Sequence, residues 1–122
     1  MNVEELYKLI EGDYADAKSR LMNDKLISKF VVMYLDDPSY DDLVAAWDAQ
    51  DGDSIFTASH TLKGVCANLA LTAVFTPASQ LCEMYRNGAR PDNIADAQAL
   101  MDAIKQANDA TVAGIKQFAE RG

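Results

Sequence analysis

Apolar residues recur at intervals of three and four along most of this 122-residue chain, and that spacing predicts helices. Two short helices open the chain, at Val3 to Ile10 and Tyr14 to Leu21, and Leu26, Ile27, Phe30, Met33 and Tyr34 form a further amphipathic stretch. The run Lys29 to Leu35 is the only candidate strand; its neighbours read as helical, so it is taken as helix. Pro38 ends that segment, and Ser39 with Asp42 makes an S-x-x-D start for a helix carrying Tyr40, Leu43, Val44 and Trp47. Asp51 to Ser54 breaks this helix and starts the next, which runs to about Leu71. Thr76 and Pro77 read as N-cap and first residue of another, with Ala78, Leu81, Cys82 and Tyr85 on one face and Gly88 at its end. Pro91 and Asp92 open the last helix, whose stripe of Ile94, Ala97, Met101 and Ile104 resumes at Ile115 and Phe118; Asn108 and Gly114 weaken its middle. The expectation is an all-α fold: an antiparallel four-helix bundle with additional short N-terminal helices. Residues 1–122 are expected to form a single domain, with residues 1–36 as N-terminal extension helices.

Charge narrows the set of partners. With 19 acidic against 11 basic residues, a net charge of −8 repels nucleic-acid backbones and anionic lipid, so neither is expected as a ligand. No apolar run approaches the roughly 18 residues needed to span a bilayer, and the acidic N-terminus lacks the pattern of a signal peptide. Cys66 and Cys82 both fall inside helical patterns and read as buried thiols of a cytoplasmic protein. With one histidine and no metal-ligand spacing, no bound metal is expected. A start at Met1 leans toward a free-standing protein.

The one histidine lies on the wrong face for packing. At about 100° per residue, with His60 at zero, Ile55, Ala58, Leu62, Val65, Cys66 and Leu69 fall between roughly 140° and 240° and define the core side. His60 points away from it, toward solvent. Lys63, Gly64 and Ala67 lie within about 60° of it, and Asp53, Phe56 and Leu71 share that outer face. A glycine inside a helix costs roughly 1 kcal/mol relative to alanine. On an outer face the remaining reason for Gly64 is close approach by another molecule. A neutral imidazole is a competent nucleophile near pH 7, and the Lys63 ammonium one turn away offsets the charge of a phosphoryl group. His60, Lys63 and Gly64 together describe a phosphoacceptor, with Phe56, Ala67 and Leu71 as apolar contacts for the donor.

The run H-T-L-K-G from His60 to Gly64, continuing V-C-A-N-L-A, resembles the H-x-L-K-G-(S/A)-(S/A)-x-N-(L/I)-G motif of histidine-containing phosphotransfer (HPt) domains. The chain length, the helical pattern and the mid-chain position of the motif agree. Val65 and Cys66 stand where the motif has a small pair and Ala70 where it has Gly; none of these touches His60 on the helical wheel. The resemblance implies that His60 is phosphorylated, that Lys63 is its electrostatic partner and Gly64 its small neighbour, and that Asn68 makes a lateral structural contact. It also implies that a polar side chain from the following helix holds one imidazole nitrogen, for which Gln80 and Glu83 are the candidates. Arg86 could add positive charge there, although an exposed arginine near a helix end ordinarily serves solubility alone.

The function expected from this is that of a phosphocarrier in a multistep two-component phosphorelay. His60 takes a phosphoryl group from a receiver-domain aspartate and passes it to another receiver, with response regulators or a hybrid sensor kinase as partners. The chain has no P-loop, no Gly-rich nucleotide loop and no carboxylate cluster for magnesium. ATP is therefore not expected as a substrate, and magnesium is expected on the receiver. The protein is expected to work stoichiometrically rather than as an enzyme, and as a monomer, because the His60 face must stay open. The competing reading is a helical adaptor that binds receivers or kinases without transfer. A hydrolase using His60 as general base would need a pocket that a flat helical face does not offer.

Overall fold

A computed structural model describes residues 1–121, with side chains to Glu120. In chain order the helices are α1 (Val3–Leu9), α2 (Tyr14–Leu21), α3 (Asp24–Met33), α4 (Ser39–Asp48), α5 (Gly52–Leu69), α6 (Thr72–Met84) and α7 (Ile94–Arg121). Short 3-10 turns follow α3 at Tyr34–Asp36 and α6 at Arg86–Gly88. The fold is all-α. Each of α4, α5 and α6 packs against the next helix in sequence, and the short connections make these neighbours antiparallel.

Local chemistry explains most boundaries. Side chains of Asn2, Asp13, Asn23 and Asp51 each accept a backbone N–H in the first turn of the helix that follows, satisfying donors the helix itself cannot. At α4 the cap differs from the S-x-x-D reading: Asp37 accepts from Ser39 N at 2.8 Å, and Ser39 is buried. Helix α6 begins at Thr72, not at Thr76, and carries Pro77 inside it. Helix α7 runs without a break through Asn108 and Gly114.

One continuous cluster of buried side chains joins the bundle to the N-terminal helices, including Leu6 and Tyr7 of α1, Ile27 and Val31 of α3, Leu43, Leu62, Leu81, Ile104 and Ile115. Asn108 sits in it because Tyr34 donates its hydroxyl to Asn108 Oδ1 at 2.6 Å. Gly114 is where α1 crosses α7: a Cβ there would stand 2.5 Å from Ile10 Cγ2. The end of α1 and the α1–α2 connection together cap the far end of α5. Tyr7 donates its hydroxyl to the Leu69 carbonyl at 2.7 Å, and Asp13 N–H donates to the Ala70 carbonyl at 3.0 Å. Gly12 permits this approach, since a Cβ would meet the Tyr7 ring at 2.7 Å.

Burial keeps several acidic hydroxyl and thiol groups neutral. It pushes the Cys66 thiol from 9.0 up to about 12 and raises the Tyr7 and Tyr34 phenols above 10.0. A group whose folded pKa exceeds its unfolded value contributes stability below the unfolded pKa and loses it as pH rises toward the folded one. The urea midpoint is therefore expected to hold near neutrality and to fall as pH climbs from 9.0 toward about 12. A midpoint flat across that range would mean that these groups ionise as freely in the folded chain as in the unfolded one.

Candidate functional site

Helix α5 presents its buried residues Ile55, Ser59, Leu62, Cys66 and Leu69 to the bundle. The core side is displaced slightly from the sequence expectation: Ser59 is fully buried, donating its hydroxyl to the Phe56 carbonyl at 3.1 Å, whereas Ala58 and Val65 are half-buried. His60 is exposed on the opposite side, as the helical wheel expects. Lys63 is half-buried one turn on, and Gly64 is exposed. A Cβ built on Gly64 meets nothing within 4 Å, so neither packing nor backbone conformation within the chain calls for glycine there.

Phe56, one turn before His60, is half-buried against the core, and its ring centroid lies 5.8 Å from that of the imidazole at an interplanar angle of 40°. Ala67 is half-buried on the same face, beside Phe75 of α6. Leu71 corrects the sequence reading. Helix α5 stops at Leu69, Ala70 takes a left-handed conformation (φ 54°), and the turn swings Leu71 into the core, where it is 2% exposed. A side chain so buried has no surface to offer a partner.

The two residues expected to orient the imidazole do not reach it. Gln80 lines a groove between α6, α7 and the end of α1. The flank of α6 that faces α5 carries Phe75, five residues and so about 140° around the helix from Gln80. Glu83 instead accepts from Arg86 Nε and Nη2, at 2.9 and 2.7 Å, on one carboxylate oxygen. That bond, and more weakly the charge of Lys63, holds the Glu83 carboxyl below the usual carboxylate range.

Two features were not assigned from the sequence. The Arg86 guanidinium lies over the Phe56 ring, 5.5 Å from its centroid. Only the connection after α6 brings it there; the same connection lays Arg90 against Gly52 and pairs it with Asp53 at 3.4 Å. The second feature is an apolar shoulder on α3. Phe30 and the 55%-exposed Met33 border a groove with Val65 and Asn68 of α5. Asn68 is exposed on the edge of that groove. His60, Gly64 and Asn68, spaced four residues apart, lead along one side of α5 to this shoulder. The signal was present in the sequence, because α3 carries apolar residues on more than its core side.

The geometry describes an exposed nucleophile with a cation one turn away, an open position beside it and apolar surface around it. Among the described residues no group of three His, Cys, Asp or Glu is placed to hold a metal ion, and no helix is long and apolar enough to cross a membrane. A family model described as Hpt domain matches residues 37–110, more than half of the chain, spanning α4, α5, α6 and the first part of α7. The chain belongs to the Hpt domain family. No curated protein and no solved structure gives a match. Hpt domains carry phosphoryl groups on histidine in phosphorelays, interact with receiver domains, and are carriers rather than enzymes. Helices α1 to α3 lie outside the matched span of this Hpt chain.

Proposed function

We propose that this Hpt domain accepts a phosphoryl group on His60 from the aspartyl phosphate of a receiver domain and passes it to the aspartate of another receiver. The observation that carries the proposal is the pairing of an exposed imidazole with the empty space over Gly64 one turn away. An imidazole nitrogen lone pair attacks phosphorus in line, a P–N bond forms, and the P–O bond to the aspartyl carboxylate breaks with the electron pair leaving on that carboxylate. The reverse step loads the next receiver. Positioning and charge neutralisation are the protein's contribution. Lys63 supplies a cation beside the transferred group, Gly64 leaves room for it, and magnesium arrives with the receiver. The chain works as a monomeric, stoichiometric carrier and does not use ATP.

The receiver seats on Phe56 and Ala67 and extends over Gly64 to the Phe30–Met33 shoulder, which continues the same open face. Introducing charge into that shoulder, as Phe30→Asp or Met33→Asp, is expected to weaken receiver binding about tenfold, the scale of a truncated interface contact. Phosphorylation of His60 by a small phosphoramidate donor, which needs no docking, should be unchanged in either variant. Titration calorimetry with a receiver domain reads the first effect, and unaltered binding would remove α3 from the interface.

The function itself is tested by mixing the protein with a phosphorylated receiver and locating the label by mass spectrometry. Acid-labile, alkali-stable phosphate on His60 is the expected product. Receivers that bind but leave no phosphate on the chain would instead establish the adaptor reading.

A further inference from the structure

We infer that Arg86, Phe56 and Glu83 form a positioning device that fixes the orientation of the His60 imidazole, with Arg86 acting through the Phe56 ring rather than as a counter-charge for phosphate. The inference rests on the proposed role of His60 as acceptor and adds the part of the site that holds it in register.

An exposed imidazole on a helix has more than one staggered rotamer open to it, and in-line attack tolerates little misorientation. Among the described residues no hydrogen bond fixes this ring; Gln80 faces the groove beside α7, and Glu83 is engaged by Arg86. What the ring does have is an aromatic neighbour. Helical side chains lean back over the preceding turn, which places His60 on the residue four before it, and that residue is Phe56 at 5.8 Å, within the range of aromatic pairs.

Phe56 is in turn confined from two sides. The hydrophobic core lies beneath it, and the Arg86 guanidinium covers it at 5.5 Å, within reach of a cation–ring contact. Arg86 is itself fixed by its two hydrogen bonds to Glu83 one turn earlier, and its side chain is 39% exposed. The chain of contacts runs from Glu83 through Arg86 and Phe56 to His60. Because Glu83 neutralises the guanidinium, its flat shape matters here more than its charge. Lys63, which forms no ion pair within 4.0 Å among the described residues, is left as the cation for the phosphoryl group.

The test is the substitution of Arg86 by Lys, which keeps the charge and loses the planar fork, beside Arg86→Gln and Phe56→Leu. Two readouts are taken. In single-turnover transfer from a phosphorylated receiver, both Arg86 variants are expected to lower the maximal rate about tenfold at an unchanged half-saturating receiver concentration. In the NMR spectrum of the free protein, the His60 ring protons are expected to lose the ring-current shift from Phe56 and move toward their positions in Phe56→Leu, while the amide spectrum reports an intact fold. Recovery of the wild-type rate by lysine would show that charge is what counts, and the inference fails. It fails equally if the ring protons stay in place, or if half-saturation rises at a constant rate, which would make Arg86 a docking contact. The NMR readout needs no partner, so a wild-type chain that no receiver phosphorylates would overturn the proposed function while the resonances still judge the positioning device.

Discussion

His60→Gln is expected to abolish phosphoryl acceptance, by on the order of a thousandfold or more, while leaving the fold and receiver binding nearly intact. An amide nitrogen has its lone pair delocalised and offers no nucleophile, whereas glutamine matches histidine in length and polarity. The stability change should stay within about 0.5 kcal/mol, because the side chain is exposed, has no hydrogen-bond partner among the described residues and gives up only its contact with Phe56. Receiver affinity should move only a few-fold, since the apolar surface at Phe56, Ala67 and the α3 shoulder is untouched. As the chain has a single histidine, acid-labile phosphate surviving in this variant could not be phosphohistidine, and the assignment of the acceptor would fall. Thermal unfolding and receiver binding, measured on the same sample, separate loss of chemistry from loss of structure.

The helical wheel located His60 because α5 is a single capped helix of 18 residues, long enough for its period to hold throughout. The same arithmetic failed at Leu71, one residue past a change of backbone conformation. Ala70 has neither glycine's freedom nor any local signal for a left-handed turn. The turn is closed locally, by Ala70 N–H to the Ala67 carbonyl and Leu71 N–H to the Cys66 carbonyl, and braced by bonds from Tyr7 to Leu69 and from Asp13 to Ala70, more than fifty residues earlier. Periodicity carries no information about where such a turn falls or what braces it. Pro77 misled in the opposite direction: Thr-Pro is an ordinary helix start, yet α6 begins a turn earlier and accommodates the proline on the half-buried flank facing α7. Asn108 and Gly114 read as weaknesses when α7 is considered alone. Each is instead a meeting point, with Tyr34 and with α1 respectively, that exists only once the chain is folded.

Candidate residues on α5 itself were legible, and those contributed by other helices were not. Gln80 was chosen by residue type and proximity in sequence, but the flank of α6 it occupies depends on how two helices are rotated about each other. Arg86 was set aside as a surface charge because nothing local distinguishes it from one; its placement over Phe56 follows from the path of the connection after α6. The α3 shoulder was partly legible, since Leu26, Phe30 and Met33 fall on a stripe distinct from the buried Ile27, Val31 and Tyr34.

Gly64 should separate stability from function in opposite directions. A Cβ at this position enters open space, so Gly64→Ala removes the conformational cost of glycine without a clash and is expected to stabilise the fold by roughly 1 kcal/mol, or about 3–5 °C in midpoint. Gly64→Gln should be stabilising too, because it is also a good helix former and its side chain extends into solvent. Transfer should follow the reverse order. The position lies one turn from His60 on the path to the α3 shoulder, where the donor has to approach. Alanine is expected to slow transfer several-fold and glutamine about a hundredfold, since small displacements of reacting groups carry penalties of that size. The control is phosphorylation of His60 by a small donor, which bulk at position 64 should impair far less than transfer from a receiver. A glutamine variant that is more stable and transfers at the wild-type rate would show that the open space is not used by the partner, and the steric role of Gly64 would be wrong. A destabilised alanine variant would point instead to a backbone requirement at this turn.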